Sequence, residues 1–214
     1  MSDELVFYTS PMSRGRIVRW MLEEVGRPYR TELVGFGAAM QAQAYRAINP
    51  MGKVPALRHG ATVVTECAAI LAYLADACPE ARLAPEPTAR ARGDYYRWLF
   101  FCAGPVEAAT TNKVLGVSVP DEPRMRGMVG YGSLEAVLDT LEGAVSGRDC
   151  VAGERFSAAD LYLASHLAWG MRFGTIPKRA AFETYVGRHG ARPAAQRANA
   201  IDDRLLAGPQ DSAA

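Results

Sequence analysis

Cysteine and histidine are scarce in this chain, and neither is arranged for chemistry of its own. The four cysteines, Cys67, Cys78, Cys102 and Cys150, form no C-x-x-C pair, and His59, His166 and His189 do not stand at zinc-ligand spacing from them. That argues against a disulfide framework and against a metal site, and for reduced thiols in a cytoplasmic protein. An excess of one charge is missing too. Lys and Arg number 24 against 23 Asp and Glu, so no basic face offers itself to nucleic acid or to an anionic membrane. No apolar run approaches the roughly 20 residues that a membrane helix needs. The opening "MSDELVFYTS" is acidic where a secretory signal would be basic.

What is present suits a folded protein. The chain has 214 residues, 49% of them hydrophobic, enough for one large domain or two small ones. "ELVFYT", residues 4–9, reads as a strand, and "SPMS" as the turn after it. In "RGRIVRWMLEEVG", Ile17, Val18, Met21, Leu22 and Val25 recur at helical spacing, and Gly26 with Pro28 behind it stops the helix. "YRTELV" is a second strand, which makes a βαβ unit with a parallel pair. Residues 38–48 read as one helix, "VPALRHG" and "ATVVTE" as an antiparallel hairpin, and "CAAILAYLADAC" as a strongly apolar helix.

The texture changes at "PEARLAPEPTARARG", where Pro79, Pro85 and Pro87 mark an interdomain linker. Beyond it no strand is evident. Residues 88–115, 124–146, 157–171, 178–189 and 193–206 read as helices. The expected domains are 1–79, an α/β unit of order βαβαββα, and 89–207, all helical; the linker is 80–88 and the tail 208–214 is frayed. In "RFSAADLYLA", Ser157 and Asp160 stand at capping-box spacing, a structural role.

An α/β half of this order, a proline-marked linker and an all-helical half resemble the soluble glutathione transferases. Four stretches carry the likeness: "YTSPMSRGRIVRWMLEEVG", "NPMGKVPAL", "TECAAILAYLAD" and "FSAADLYLA". The resemblance implies a thioredoxin-like N-terminal domain, glutathione as co-substrate, a homodimer and a serine-type, bacterial-like member. It also accounts for a proline inside an apolar strand. In the family the bond before that proline, here Val54–Pro55, is cis, and Val54 presents its N–H and C=O to the cysteinyl backbone of glutathione. A trans proline on an edge strand is the alternative.

The resemblance further implies that Glu66 and Cys67 hold the γ-glutamyl end, where the amides of a helix start favour an anion. The family usually has serine at position 67, and a thiol is a much weaker donor. Cys67 is either an inert small side chain or a thiol activated by its place at a helix N-terminus. Lys53 is a candidate for the glycyl carboxylate, with a solvated loop lysine as the other reading; Gln41 and Arg14 are further polar candidates. Family geometry sets the hydrophobic electrophile against the first helix and the long first helix of the second half, where Trp20, Tyr96 and Phe100 are the candidates. Three hydroxyls are candidates to activate the thiol. Tyr8 is still in the strand, Ser10 is held extended before Pro11, and Ser13 stands at the N-cap before the first helix. Registering that helix on the serine-type classes favours Ser13.

Conjugation of glutathione to an electrophile is the leading expectation. A glutathione-dependent peroxidase or disulfide reductase and a non-catalytic binding module are the alternatives. No cysteine occupies the turn after the first strand, as thiol exchange would require.

Overall fold

The computed structural model describes residues 3–208. The last residues of the expected tail, 209–214, lie outside them. The chain falls into two compact units. One holds residues up to 81 together with those from 192 onward, and the other holds 82–191.

The first unit is built on a four-stranded sheet of order β2-β1-β3-β4. Strand β1 (Leu5–Thr9) is central and buried along almost its whole length, as its apolar run requires. It leads into helix α1 (Gly15–Val25), which ends on Gly26 in the left-handed conformation. Strand β2 (Tyr29–Leu33) then pairs parallel to β1, with Phe7 beside Thr31. Strands β3 (Ala56–His59) and β4 (Thr62–Thr65) form the expected antiparallel hairpin, and β3 pairs antiparallel to β1.

The helix expected over 38–48 is two short ones, α2 (Ala38–Gln41) and α3 (Gln43–Arg46), separated by an extended Ala42. The break has a packing cause. Met40 and Tyr45 bury into one cluster with Val34. On an unbroken helix, residues five apart point about 140° from each other, so both could not enter that cluster.

Helix α4 (Cys67–Ala77) follows, then a 3₁₀ turn at Pro79–Ala81. In the second unit the long helix expected over 88–115 is interrupted. Helix α5 (Ala91–Phe101) passes through a π-helical turn at Cys102–Val106 before α6 (Glu107–Val114) resumes. Pro105 lies in that turn; it has no N–H to give and its ring crowds the carbonyl four residues back. The helix expected over 124–146 is likewise divided, into α7 (Pro123–Met128) and α8 (Leu134–Val145). Gly130 and Gly132 between them adopt positive φ, and Ser133 caps α8 by accepting the Ala136 N–H at 3.1 Å.

Helix α9 (Ala158–Phe173) crosses the second unit beside α10 (Ala180–Gly190). Asp160 is fully buried at its start. Its carboxylate accepts from the Val151 N–H, the Ser157 N–H and hydroxyl, and the Tyr185 hydroxyl, at 2.7–2.8 Å. Helix α11 (Pro193–Ala207) then returns to the first unit, where it packs on α1.

Candidate functional site

The sheet register brings three chain segments to one end of the first unit. Tyr8 pairs with Ala56, and Ala56 with Thr65. The exit of β1, the entry of β3 at Pro55 and the exit of β4 at Glu66 therefore lie side by side. The starts of α1 and α4 meet at the same end, where the Cys67 thiol donates to the Arg14 carbonyl at 3.7 Å. Two sets of helix amides and their positive dipole ends thus converge.

The turn from β1 to α1 is tightly organised. Ser13, 9% exposed, donates its hydroxyl to the Ser10 carbonyl at 2.6 Å and accepts the Gly15 N–H at 3.0 Å. The Ser13 N–H also reaches the Ser10 carbonyl, at 3.0 Å. The N-cap residue of α1 is Arg14, with no side-chain cap, so Ser13 stands one place before the expected position and caps from there. A side chain at Gly15 would overlap the Thr9 hydroxyl, which is why the chain has glycine at the close approach of strand and helix. Ser10 is buried beside Ser13. Tyr8 points elsewhere: its ring packs on the Val34–Met40–Tyr45 cluster, 6.0 Å from the Tyr45 ring.

The Val54–Pro55 bond is cis. The loop before it is pinned by two residues that sequence reasoning missed. Tyr45 donates its hydroxyl to the Lys53 carbonyl at 2.6 Å, and the Asn49 amide donates to the same oxygen at 2.7 Å. Burial pushes the Tyr45 phenol up to about 12, helped by nearby Tyr8, so it remains a donor at any physiological pH. Asn49 also accepts the Met51 N–H, an Asx turn that "NPMG" signals by composition. Gly52 has φ 60°, and a Cβ there would lie 2.6 Å from the Gln41 amide nitrogen. The Lys53 side chain is exposed, Val54 is half-buried, and Gln41 borders an open hollow of about 360 Å³ with Gln43, Arg46, Ala47 and Pro50.

The backbone conformation of Glu66 is the other feature invisible in the sequence. The residue is exposed and takes φ 67°, ψ 126°, a conformation L-residues other than glycine seldom adopt. Cys67 beside it is buried. The expected pocket residues belong to different units. Trp20 is 9% exposed and donates its indole N–H to Glu24 at 2.9 Å, within the packing of the first unit. Tyr96 and Phe100, on α5 of the second unit, are 42% and 69% exposed. Among the described residues, no group of three His, Cys, Asp or Glu side chains could hold a metal ion. No described helix is long and apolar enough to cross a membrane.

Comparison with known proteins agrees with this arrangement. Residues 9–77 match the glutathione S-transferase N-terminal domain family, and residues 131–186 the glutathione S-transferase C-terminal domain family. The chain is 32% identical to glutathione S-transferase GstA of Escherichia coli O157:H7 over 126 residues, which are 58% of this chain and 61% of that protein. It is 30% identical to the maleylacetoacetate isomerase of Pseudomonas aeruginosa over 163 residues, 73% of this chain and 76% of that one. Among solved structures, a glutathione transferase homologue from Sulfitobacter with bound glutathione superposes with a TM-score of 0.73 at 28% identity, covering 94% of this chain and 98% of its own. With both family domains in order on a four-stranded α/β unit and a helical unit, the chain belongs to the glutathione S-transferase family.

Proposed function

We propose that this chain binds glutathione at the sheet end described above, ionises its thiol and transfers it to a hydrophobic electrophile. The observation that carries this reading is the meeting of the α1 and α4 starts beside Ser13. The Val54 main chain is the partner for the cysteinyl backbone. Glu66 and the amide of Cys67 receive the γ-glutamyl end. Lys53, exposed on a loop held by Tyr45 and Asn49, meets the glycyl carboxylate, with Gln41 and Arg14 as further polar contacts.

Ser13 is the thiol-activating group in this reading. A free thiol of this type titrates near 8.5, and lowering that by one unit needs only about 1.4 kcal/mol. When the Ser13 hydroxyl swings from the Ser10 carbonyl to the sulfur, that carbonyl still keeps the Ser13 N–H. No backbone group is orphaned by the switch. The Gly15 N–H meanwhile polarises the hydroxyl as a donor. The thiol proton leaves to solvent, the sulfur forms a bond to the electrophilic carbon, and the leaving group departs with its bonding pair. Proximity supplies the rest of the acceleration. For the electrophile, Trp20, Tyr96 and Phe100 remain the candidate contacts; of these, Tyr96 and Phe100 carry exposed rings. This reading requires no metal. We extend the proposal to a homodimer working in the cytoplasm.

Retention on immobilised glutathione, together with turnover of a chlorinated nitroaromatic, tests the reading. Retention without turnover of any electrophile would leave a binding module in its place. Light scattering at micromolar concentration tests the dimer, which a mass near 23 kDa would exclude.

A further inference from the structure

Helix α1 is joined to α11 and its N-cap Arg192 by a seam of ion pairs: Arg16–Asp203 at 2.6 Å, Arg19–Asp202 at 2.7 Å, Glu23–Arg197 at 3.0 Å and Glu24–Arg192 at 2.6 Å. Numbers rise along α1 as they fall along α11, and the charges exchange helices halfway. Docking α11 in the opposite direction would set arginine against arginine at one end and acid against acid at the other. The seam therefore specifies orientation as well as contact. Both family matches end before α11 begins, the second at residue 186.

Arg16 is where this seam reaches the site. Its Nη2 donates to Asp203, and its Nε donates to the Pro11 carbonyl at 2.8 Å. Pro11 lies between Ser10 and Ser13 in the turn. A cation in the first turn of a helix opposes the dipole, so Arg16 is poorly placed for helix stability alone. Asp203 offsets that charge, and with the mostly buried Arg16 guanidinium anchored on one side, the other side is aimed at Pro11. The remaining three pairs do not touch the turn.

We propose that Arg16, steadied by Asp203, is a positioning residue for the turn that carries Ser13, and that the C-terminal helix is in this way part of the glutathione site. The proposal rests on the reading of that turn as thiol-activating. It predicts that the effect appears in kcat far more than in glutathione binding, because Val54, Glu66, the Cys67 amide and Lys53, which hold most of the tripeptide in this reading, lie on other segments.

The test uses the full chain and Arg16→Ala, Arg16→Lys, Asp203→Ala, the Arg16→Ala/Asp203→Ala double variant, and Arg197→Ala at the far end of the seam. Turnover of a chlorinated nitroaromatic, KM for glutathione and melting temperature are measured for each. Since a misplacement of 1 Å can cost about 100-fold, a smaller shift should lower kcat roughly tenfold in Arg16→Ala, and less in Asp203→Ala. KM should stay within about twofold. The double variant should be no worse than Arg16→Ala, Arg16→Lys should recover part of the loss, and Arg197→Ala should keep wild-type kcat. Unchanged kcat in Asp203→Ala, additive losses in the double variant, or an equal loss in Arg197→Ala would overturn the proposal. If Arg16→Ala does not fold, Asp203→Ala and Arg197→Ala decide the matter between them. A wild-type protein that neither binds nor turns over glutathione would instead overturn the proposed function.

Discussion

Arg19 donates its Nε to the Asp202 carboxylate at 2.7 Å with both side chains 1% exposed, so the C-terminal helix is fastened to the first one by a buried ion pair. Arg19 also reaches the Tyr29 and Thr31 hydroxyls, and its guanidinium lies over the Phe7 ring. The second Asp202 oxygen, buried, accepts no hydrogen bond. Burial therefore outweighs the attraction of Arg19 and raises the Asp202 carboxyl above the ordinary range. Removing Arg19 leaves that carboxyl alone in the interior. Arg19→Ala should cost about 3–5 kcal/mol, read by denaturant unfolding; a loss below about 1 kcal/mol would mean the pair is not buried in solution.

The raised Asp202 value sets the sign of a pH effect. The folded state holds this proton more tightly than the unfolded chain, whose carboxyl titrates near 3.9. The contribution to stability is then fully present below about pH 4 and is lost as pH rises through the folded value. Asp202→Asn has no such titration. The wild-type melting temperature, taken relative to Asp202→Asn, should fall as pH rises through the carboxylate range and then level off. A relative rise would reverse the assignment.

Much of this fold was legible in the sequence, and the reasons for the exceptions are physical. Strand β1, helix α1 with its Gly26 stop and the β3–β4 hairpin follow from local periodicity and turn residues. The break at Ala42 follows from where Met40 and Tyr45 must pack, which is tertiary information. Pro105 and the Gly130–Gly132 pair break segments that the sequence reading takes as continuous helices over 88–115 and 124–146. Arg19 breaks the usual rule that charge stays outside, and its partner is 183 residues away. At the site, the hydroxyl-bearing turn and the Val-Pro pair could be read directly. The positive φ of Glu66, the pinning of Lys53 by Tyr45 and Asn49, and the Arg16–Pro11 bond depend on contacts that no local pattern encodes.

Asp160→Ala should be among the most damaging substitutions in the second unit. It would leave buried donors of Val151, Ser157 and Tyr185 without their acceptor. An unsatisfied buried group costs about 1–3 kcal/mol, and one kcal/mol is roughly 2–4 °C for a chain of this size. A fall in melting temperature of about 10 °C or more is expected. A shift within about 2 °C would show that water replaces the carboxylate.

Gly15→Ala should distort the turn before α1, because its Cβ meets the Thr9 hydroxyl. Thr9→Ala in the same chain removes that atom. The double variant should therefore recover part of the melting temperature and turnover that the single variant loses, since the Ser13 hydroxyl and the residue 9 Cβ still lie 3.0 Å from the added methyl. Equal damage in both would place the fault in the helix start itself.

Cys67 is buried and its thiol is engaged by the Arg14 carbonyl. A serine there offers a stronger donor in nearly the same volume. Cys67→Ser should bind glutathione as tightly as wild type or more tightly by calorimetry, and wild-type Cys67 should react slowly with thiol reagents. A severe loss of affinity in Cys67→Ser would move the γ-glutamyl end away from the start of α4.

The activation of the thiol by Ser13 is tested most directly by titrating the ultraviolet absorbance of glutathione thiolate bound to wild type, Ser13→Ala and Ser10→Ala. Wild type and Ser10→Ala should show the bound thiol ionising below the free value near 8.5. Ser13→Ala should bring it back up by about one unit, equivalent to about 1.4 kcal/mol, with glutathione affinity little changed. An unaltered titration in Ser13→Ala, with the shift appearing in Ser10→Ala instead, would contradict the assignment.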